Sequence, residues 1–242
     1  VLYKDEAVVL RTMRLGEADR IVTFMGRTGG KIRAVAKGVR KTKSRFGGRM
    51  EPFGHVTLVL WRGRSSLDTV TQVEVVEPFR EIREHLPRFA LGQVMLEAVD
   101  RLIQDHERSP RTFGLLLDSL QALARAERNQ ASNELVLTCF LFRLASLAGF
   151  APSLRLCSEC GSAADWFSPG QGGAVCARCR SDDAEQISRN LLELMNDAVA
   201  EGPWMKVDPK VAGAAARVAR YYTEYHLERR LRSASAADSL LA

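Results

Sequence analysis

The sequence predicts an α+β fold: a small N-terminal β-barrel, then an α-helical bundle with an inserted four-cysteine module. Three observations carry this. Short Val/Ile/Thr-rich runs fill the first 80 residues, the apolar period changes to 3.6 residues from Glu81, and two Cys-x-x-Cys pairs interrupt the helical stretch. The predicted division is 1–80 for the barrel and 81–242 for the helical domain, with the insert at about 154–183.

Within the first part, strands are expected near Glu6–Met13, Arg20–Met25 and Lys31–Ala36, then at about Gly54–Arg62 and Leu67–Val76. Thr28-Gly29-Gly30 supplies a hairpin connection, because glycine reaches the positive φ that tight turns need. In the fourth strand Val56, Leu58 and Leu60 share one face, and Thr57, Val59 and Trp61 the other. Five short strands with a longer connection before the fourth fit an OB-fold barrel, with an SH3-like barrel as the alternative.

The helical pattern opens around Arg88–His106, with Leu91, Met95, Ala98, Val99 and Leu102 at helical spacing. Ser109-Pro110 starts a second helix running to about Arg125. A third, capped by Ser132 or Asn133, ends at Gly149, and its centre (Leu135 to Phe142) is apolar all round, as in a buried helix. Helical periodicity resumes at Ser188, and Asp208-Pro209 starts a last helix to about Leu231.

Cys157, Cys160, Cys176 and Cys179 form two pairs, each able to turn two thiolates toward one point. Such a set fits one tetrahedral Zn2+; an iron–sulfur centre or a dithiol redox pair are the other chemistries it supports. Four thiolates leave no open coordination position, so the expected zinc is structural. Its flanks mix Arg155, Arg178 and Arg180 with Glu159, Asp165, Asp182 and Asp183, which favours a clip over a nucleic-acid contact. Cys139, in the apolar helix, reads as core.

Charge is unevenly spread. Residues 1–80 hold 16 Lys/Arg against 8 Asp/Glu, whereas 81–150 and 151–242 are each close to neutral. No acidic residue stands between Asp19 and Glu51. This stretch supplies Arg33, Lys37, Arg40, Lys41, Lys43, Arg45 and Arg49 as candidate phosphate contacts, and the turn after the fourth strand adds Arg62 and Arg64. Phe46 and Trp61 are the aromatic candidates for base stacking. A solvated basic loop is the plain alternative for the run; packing in the barrel is the alternative for the two aromatics.

No catalytic constellation is evident. His55, His85, His106 and His226 lie far apart, and neither a phosphate-binding loop nor a dinucleotide-binding glycine turn occurs. The sequence therefore predicts a non-enzyme that uses no nucleotide. No apolar run is long enough to cross a membrane, Val1–Glu6 lacks a signal-peptide layout, and paired cysteines suit a reducing compartment, so a cytoplasmic protein is expected.

The runs Glu6–Thr12, Gly16–Val22 and Gly29–Arg40, with Glu51-Pro52-Phe53 and Trp61-Arg62-Gly63-Arg64, resemble the RecO family of bacterial recombination mediators. The resemblance covers the whole layout and is diffuse in detail after about residue 80. It implies binding of single- and double-stranded DNA and annealing of complementary strands without ATP. It also implies that, with RecR, the chain helps load RecA recombinase onto strands coated by single-stranded-DNA-binding protein (SSB), in association with the nucleoid. A helical domain that receives the acidic C-terminal tail of SSB is implied too. Arg143, alone in its apolar run, is the candidate cation for that tail, burial against Glu134 or Asp118 being the alternative. The rival from another class is a zinc-clipped helical adaptor whose basic barrel binds acidic protein segments.

Overall fold

A computed structural model describes residues 1–40, 44, 46, 48–64, 66–234 and 237. The expected contacts Lys41, Lys43 and Arg45 lie outside the described residues. The chain separates into two compact units, Val1–Glu84 with Val99–Ala124, and His85–Ala98 with Arg125–Ala242.

The first unit is built on five strands: β1 (Leu2–Leu15), β2 (Asp19–Gly26), β3 (Gly30–Ala36), β4 (His55–Trp61) and β5 (Asp68–Glu77). They close into a barrel in the order β1-β2-β3-β5-β4. Neighbours are antiparallel except β3 and β5, which run parallel and meet only through Ala34–Asp68 and Val35–Thr69. This is the OB-fold arrangement, so the SH3-like alternative is set aside. β1 begins earlier than its apolar pattern suggests because Leu2–Lys4 pair with Val59–Trp61.

The period-2 pattern of β4 is realised: Val56, Leu58 and Leu60 are fully buried, alongside Val22, Phe24, Ile32 and Ala34. Each such large side chain contributes about 1.5–3 kcal/mol by leaving water. Along β2, residues Ile21–Gly26 are buried on both faces. In the same unit α3 (Pro110–Arg125) buries Phe113, Leu116, Leu117, Leu120 and Leu123. The Arg27 guanidinium lies 4.9 Å from the Phe113 ring centroid, and His55 is 6.2 Å from the same ring. The chain before α3 meets the β2–β3 turn closely. His106 N–H donates to the Lys31 carbonyl at 2.9 Å. Gly30, at φ 70°, lies so near Glu107 that a Cβ would come within 2.0 Å of its carbonyl oxygen.

In the second unit the central helix is α4 (Gln130–Leu147), buried around its whole circumference from Leu135 to Phe142 as expected. Its cap is Asn129, whose side chain accepts the Ser132 N–H at 2.8 Å, so the helix starts a turn before the Ser132 or Asn133 cap that the sequence suggested. α5 (Arg189–Glu201) is capped by Ser188, and α6 (Pro209–His226) by Asp208. α6 stops short of the expected Leu231 because Glu228 turns left-handed, at φ 50°. The remaining helices are α1 (Arg80–Arg83) and α2 (Leu86–Leu102).

The cysteine insert holds a three-stranded sheet that the sequence did not reveal: β6 (Trp166–Ser168), β7 (Gly173–Val175) and β8 (Glu185–Gln186), ordered β7-β6-β8. It reaches past the expected boundary near Asp183. Phe167 of β6 meets Tyr222 of α6 edge-on at 5.8 Å, which fixes the insert to the helices. Among the described residues, no helix is long and apolar enough to cross a membrane.

Candidate nucleic-acid interface and cysteine cluster

Strand register brings one set of outward side chains into a row across the barrel. Trp61 stands opposite Thr69, Thr69 opposite Val35, Val35 opposite Ile21, and Ile21 opposite Met13. Trp61 and Met13 keep 49% and 45% of their surface exposed. Val35 has Arg33 and Lys37 two residues to either side, on the same face.

The chain after β3 is stitched to the β1–β2 turn. Gly38 N–H donates to Asp19 Oδ1 at 2.7 Å, Arg40 N–H to the Ala18 carbonyl at 2.9 Å, and the Arg40 guanidinium to the Gly16 carbonyl at 3.2 Å. Lys37 and Arg40 are exposed there; Arg64 is exposed too, as is Arg49, which lies beside Thr71–Val75 of β5. Among the described residues Lys37 and Arg64 make no hydrogen bond or ion pair. Arg14, at the end of β1 and opposite Arg20, is a further exposed cation at this end. It escaped the sequence reading because it precedes the acid-free stretch; only the register places it here.

Several other cations of the barrel pair with acids. Arg33 pairs with Asp105 at 3.6 Å, and Lys31 with Asp100 and Asp105 at 3.7 and 3.4 Å. Arg11 pairs with Asp100, Arg20 with Glu51, and Arg27 with Glu6. Arg62 is engaged as well. Its Nε and one terminal nitrogen lie 3.4 and 3.3 Å from the two carboxylate oxygens of Asp68, which is only 3% exposed. It also stacks over the Tyr3 ring at 4.8 Å. Tyr3 donates its hydroxyl to Asp68; burial, then this carboxylate, pushes the phenol up.

Two expected contacts are corrected. Phe46 is 2% exposed and belongs to the barrel core with Met50, so its ring cannot receive a base. Arg143 donates through Nε and a terminal nitrogen to the Val199 carbonyl at 3.0 and 2.6 Å. One turn earlier the Cys139 thiol donates to the Ala198 carbonyl at 2.9 Å. Both bond to carbonyls in the last turn of α5, where the helix dipole favours a cation, so Arg143 is tied to a helix end rather than to Glu134 or Asp118.

In the insert, all four cysteine sulfurs lie within 4.8 Å of one another, with Cys160 and Cys176 at 3.7 Å. A tetrahedral zinc site, with Zn–S of about 2.3 Å, has S···S edges of about 3.8 Å, so the cluster fits the ion. Each pair sits in a tight turn: Cys157 accepts from Gly161 N–H at 2.9 Å, and Cys176 from Cys179 N–H at 3.0 Å. Gln171 braces the second turn, donating to the Cys179 carbonyl at 2.9 Å and accepting from Ser181 N–H at 2.8 Å. The hydroxyl and N–H of Ser162 draw the Cys160 thiol down to about 6. Burial opposes ionisation of Cys157, but N–H groups of Cys160, Cys176 and Glu159 hold it below the ordinary thiol value. Cys179, hydrogen-bonded to Cys160 and Cys176, is pushed up to about 12. Four sulfurs this close ionise together only around a cation, and the donor set suits a soft dication.

Fold and sites together define the class: an OB-fold protein with a cationic barrel end, joined to a helical unit that carries a closed tetrathiolate cluster. Residues 1–79 match the family described as Recombination protein O N terminal, and residues 83–235 match Recombination protein O C terminal. The chain is 43% identical over 243 residues to the DNA repair protein RecO of a Nocardioides species, covering 96% of this chain and 98% of the relative. It is 43% identical over 241 residues to the protein of that name from Frankia casuarinae, covering 96% of each. Its identity to the Streptomyces coelicolor protein is 39% over 245 residues, covering 96% of this chain and 97% of the relative. The chain belongs to the RecO family.

Proposed function

We propose that this protein is a recombination mediator that binds single- and double-stranded DNA and anneals complementary strands without nucleotide hydrolysis. With RecR it helps load RecA onto SSB-coated single strands. Family membership supports the activity, and one observation supports its location: Lys37, Arg40 and Arg64 gather, exposed, around the Trp61–Val35 row at one end of a closed barrel. Arg14 and Arg49 extend the set, as do Lys41, Lys43 and Arg45, which fall in the connection before β4. Movable cations neutralise phosphate repulsion between two strands, and base pairing then drives annealing. Arg33, tied to Asp105, supports the strand rather than the ligand.

The four cysteines, in this reading, hold one structural Zn2+ that clips the insert to α6, and take no part in a reaction. The SSB tail and RecR are partner proteins, and the protein works as a binder rather than an enzyme in the cytoplasm, at the nucleoid. The test is annealing of complementary oligonucleotides at low salt with no nucleotide present. Annealing that is abolished by Lys37→Glu with Arg40→Glu supports the proposal. Binding of acidic peptides with no annealing would transfer the case to the adaptor reading.

A further inference from the structure

Arg62 looks from the sequence like one more phosphate contact, yet its geometry points elsewhere. Its guanidinium faces a buried carboxylate and a tyrosine ring, both within the barrel wall. Removing a carboxylate as buried as Asp68 from water is costly unless a cation and hydrogen bonds meet it. Arg62 and Tyr3 supply these, and a terminal nitrogen of Arg62 also donates to the Tyr3 hydroxyl at 3.3 Å. The three residues come from β1, β5 and the turn after β4, so their mutual bonds fix where that turn leaves the barrel. The Arg62 backbone N–H, donating to the Val1 carbonyl at 2.8 Å, adds a fourth tie.

What the turn carries is Trp61. Its indole lies against Gly63, where a Cβ would stand 2.5 Å from Cζ3 and 2.6 Å from Cη2. Only a residue without a side chain accepts the ring in this position, and about half of Trp61 stays open. An aromatic held on one side and open on the other is a stacking surface for an unpaired base. A duplex offers it nothing comparable, since its bases are already stacked. Exposed Arg64 stands three residues along the same turn, with no partner among the described residues.

We infer that Tyr3, Asp68 and Arg62 form a positioning clamp that holds Trp61 on Gly63 as a base-stacking platform selective for single strands. Arg62 is thus a positioning residue acting through Trp61, and Arg64 is the phosphate contact of the turn. The inference rests on the DNA-binding reading above and adds the basis of strand selectivity to it.

The test uses the full chain with Trp166→Phe and Trp204→Phe, which leaves Trp61 as the sole tryptophan. The probes are an oligothymidylate and a hairpin duplex. Oligothymidylate is expected to quench Trp61 emission. Trp61→Ala, in the otherwise unaltered chain, should weaken oligothymidylate binding by on the order of 5- to 100-fold and duplex binding little, whereas Trp61→Phe should keep the preference. Arg62→Ala and Tyr3→Phe should reduce both the quench and the single-strand preference, leaving the salt slope unchanged. Arg62→Lys, which can still pair with Asp68, should recover part of the preference. Arg64→Ala should keep the quench but lower the slope by about 0.7. The clamp is refuted if Arg62→Ala lowers the slope as Arg64→Ala does, or if Trp61→Ala leaves the single-to-double-strand ratio unchanged. Failure of the unaltered chain to bind either probe at low salt defeats the DNA-binding reading itself, a result distinct from both.

Discussion

Asp5 accepts the backbone N–H of Gly29 at 2.8 Å. The same buried carboxylate takes the N–H and hydroxyl of Thr28 at 3.1 and 2.9 Å. One side chain of β1 therefore holds the whole β2–β3 turn, and a Cβ at Gly29 would stand 2.9 Å from its Oδ2. Asp5→Ala removes the acceptor of these part-buried turn N–H groups, and the expected loss is about 1 kcal/mol of stability. Chemical denaturation measures it; an unchanged midpoint would show that water replaces the carboxylate.

Exposed and ion-paired cations of the barrel should behave differently. Lys37→Ala, Arg40→Ala and Arg64→Ala are each expected to lower the slope of log K against log salt by about 0.7 for single-stranded DNA, with little change in melting temperature. Lys31→Met, which abandons Asp100 and Asp105, is expected to lower the melting temperature and leave the slope alone. Salt titrations of binding, read beside thermal melts, separate the two groups.

Phe46 lies in the core, so Phe46→Ala should cost about 3–5 kcal/mol in stability. The single-strand preference of the fraction that remains folded should be unaltered. A large loss of preference with full stability would return the ring to the binding face.

Metal removal should be local. Protein purified under reducing conditions is expected to contain one zinc per chain, and chelation or Cys160→Ser should open the insert to protease between about residues 154 and 187. Strand annealing by the barrel should persist. Absence of stoichiometric zinc would overturn the assignment.

His226 of α6 stacks on Phe150 at 4.4 Å and meets Tyr222 and Tyr225 edge-on at 4.6 and 5.4 Å. Burial holds its pKa below the ordinary 6.5, so the folded state favours the neutral ring. The unfolded chain takes up the proton first as pH falls through about 6.5. Stability is therefore full above that pH and is lost below it, until the depressed folded value is reached. His226→Gln should flatten the fall in melting temperature between pH 7.5 and 6, relative to the unaltered chain.

The barrel was legible because β3 and most of β4 alternate and the glycines of the β2–β3 hairpin sit where the register requires them. The buried course of α4 was legible from apolarity alone, and the cysteine spacing announced its cluster. What escaped depends on distance along the chain. The stretch from Arg20 to Met50 contains no acid, yet Glu6, Glu51, Asp100 and Asp105 reach Arg27, Arg20, Lys31 and Arg33 from outside it. Phe46 looked like an aromatic in a basic loop, and nothing nearby showed that the loop dips into the core. Asn129 rather than Ser132 caps α4, a choice between neighbouring polar residues that composition does not make. The strands of the insert are two or three residues long, too short to show a period.

The pairing of Lys31, Arg33 and Arg11 with Asp100 and Asp105 bears on how the protein is dissected. A fragment cut near residue 80 leaves those acids behind, along with Phe113 and its neighbours. Three cations that the intact chain pairs with acids would then face solvent unpaired. Such a fragment is expected to hold polyanions more tightly and less discriminately than its parent. Affinities measured on it are expected to exceed those of the intact chain.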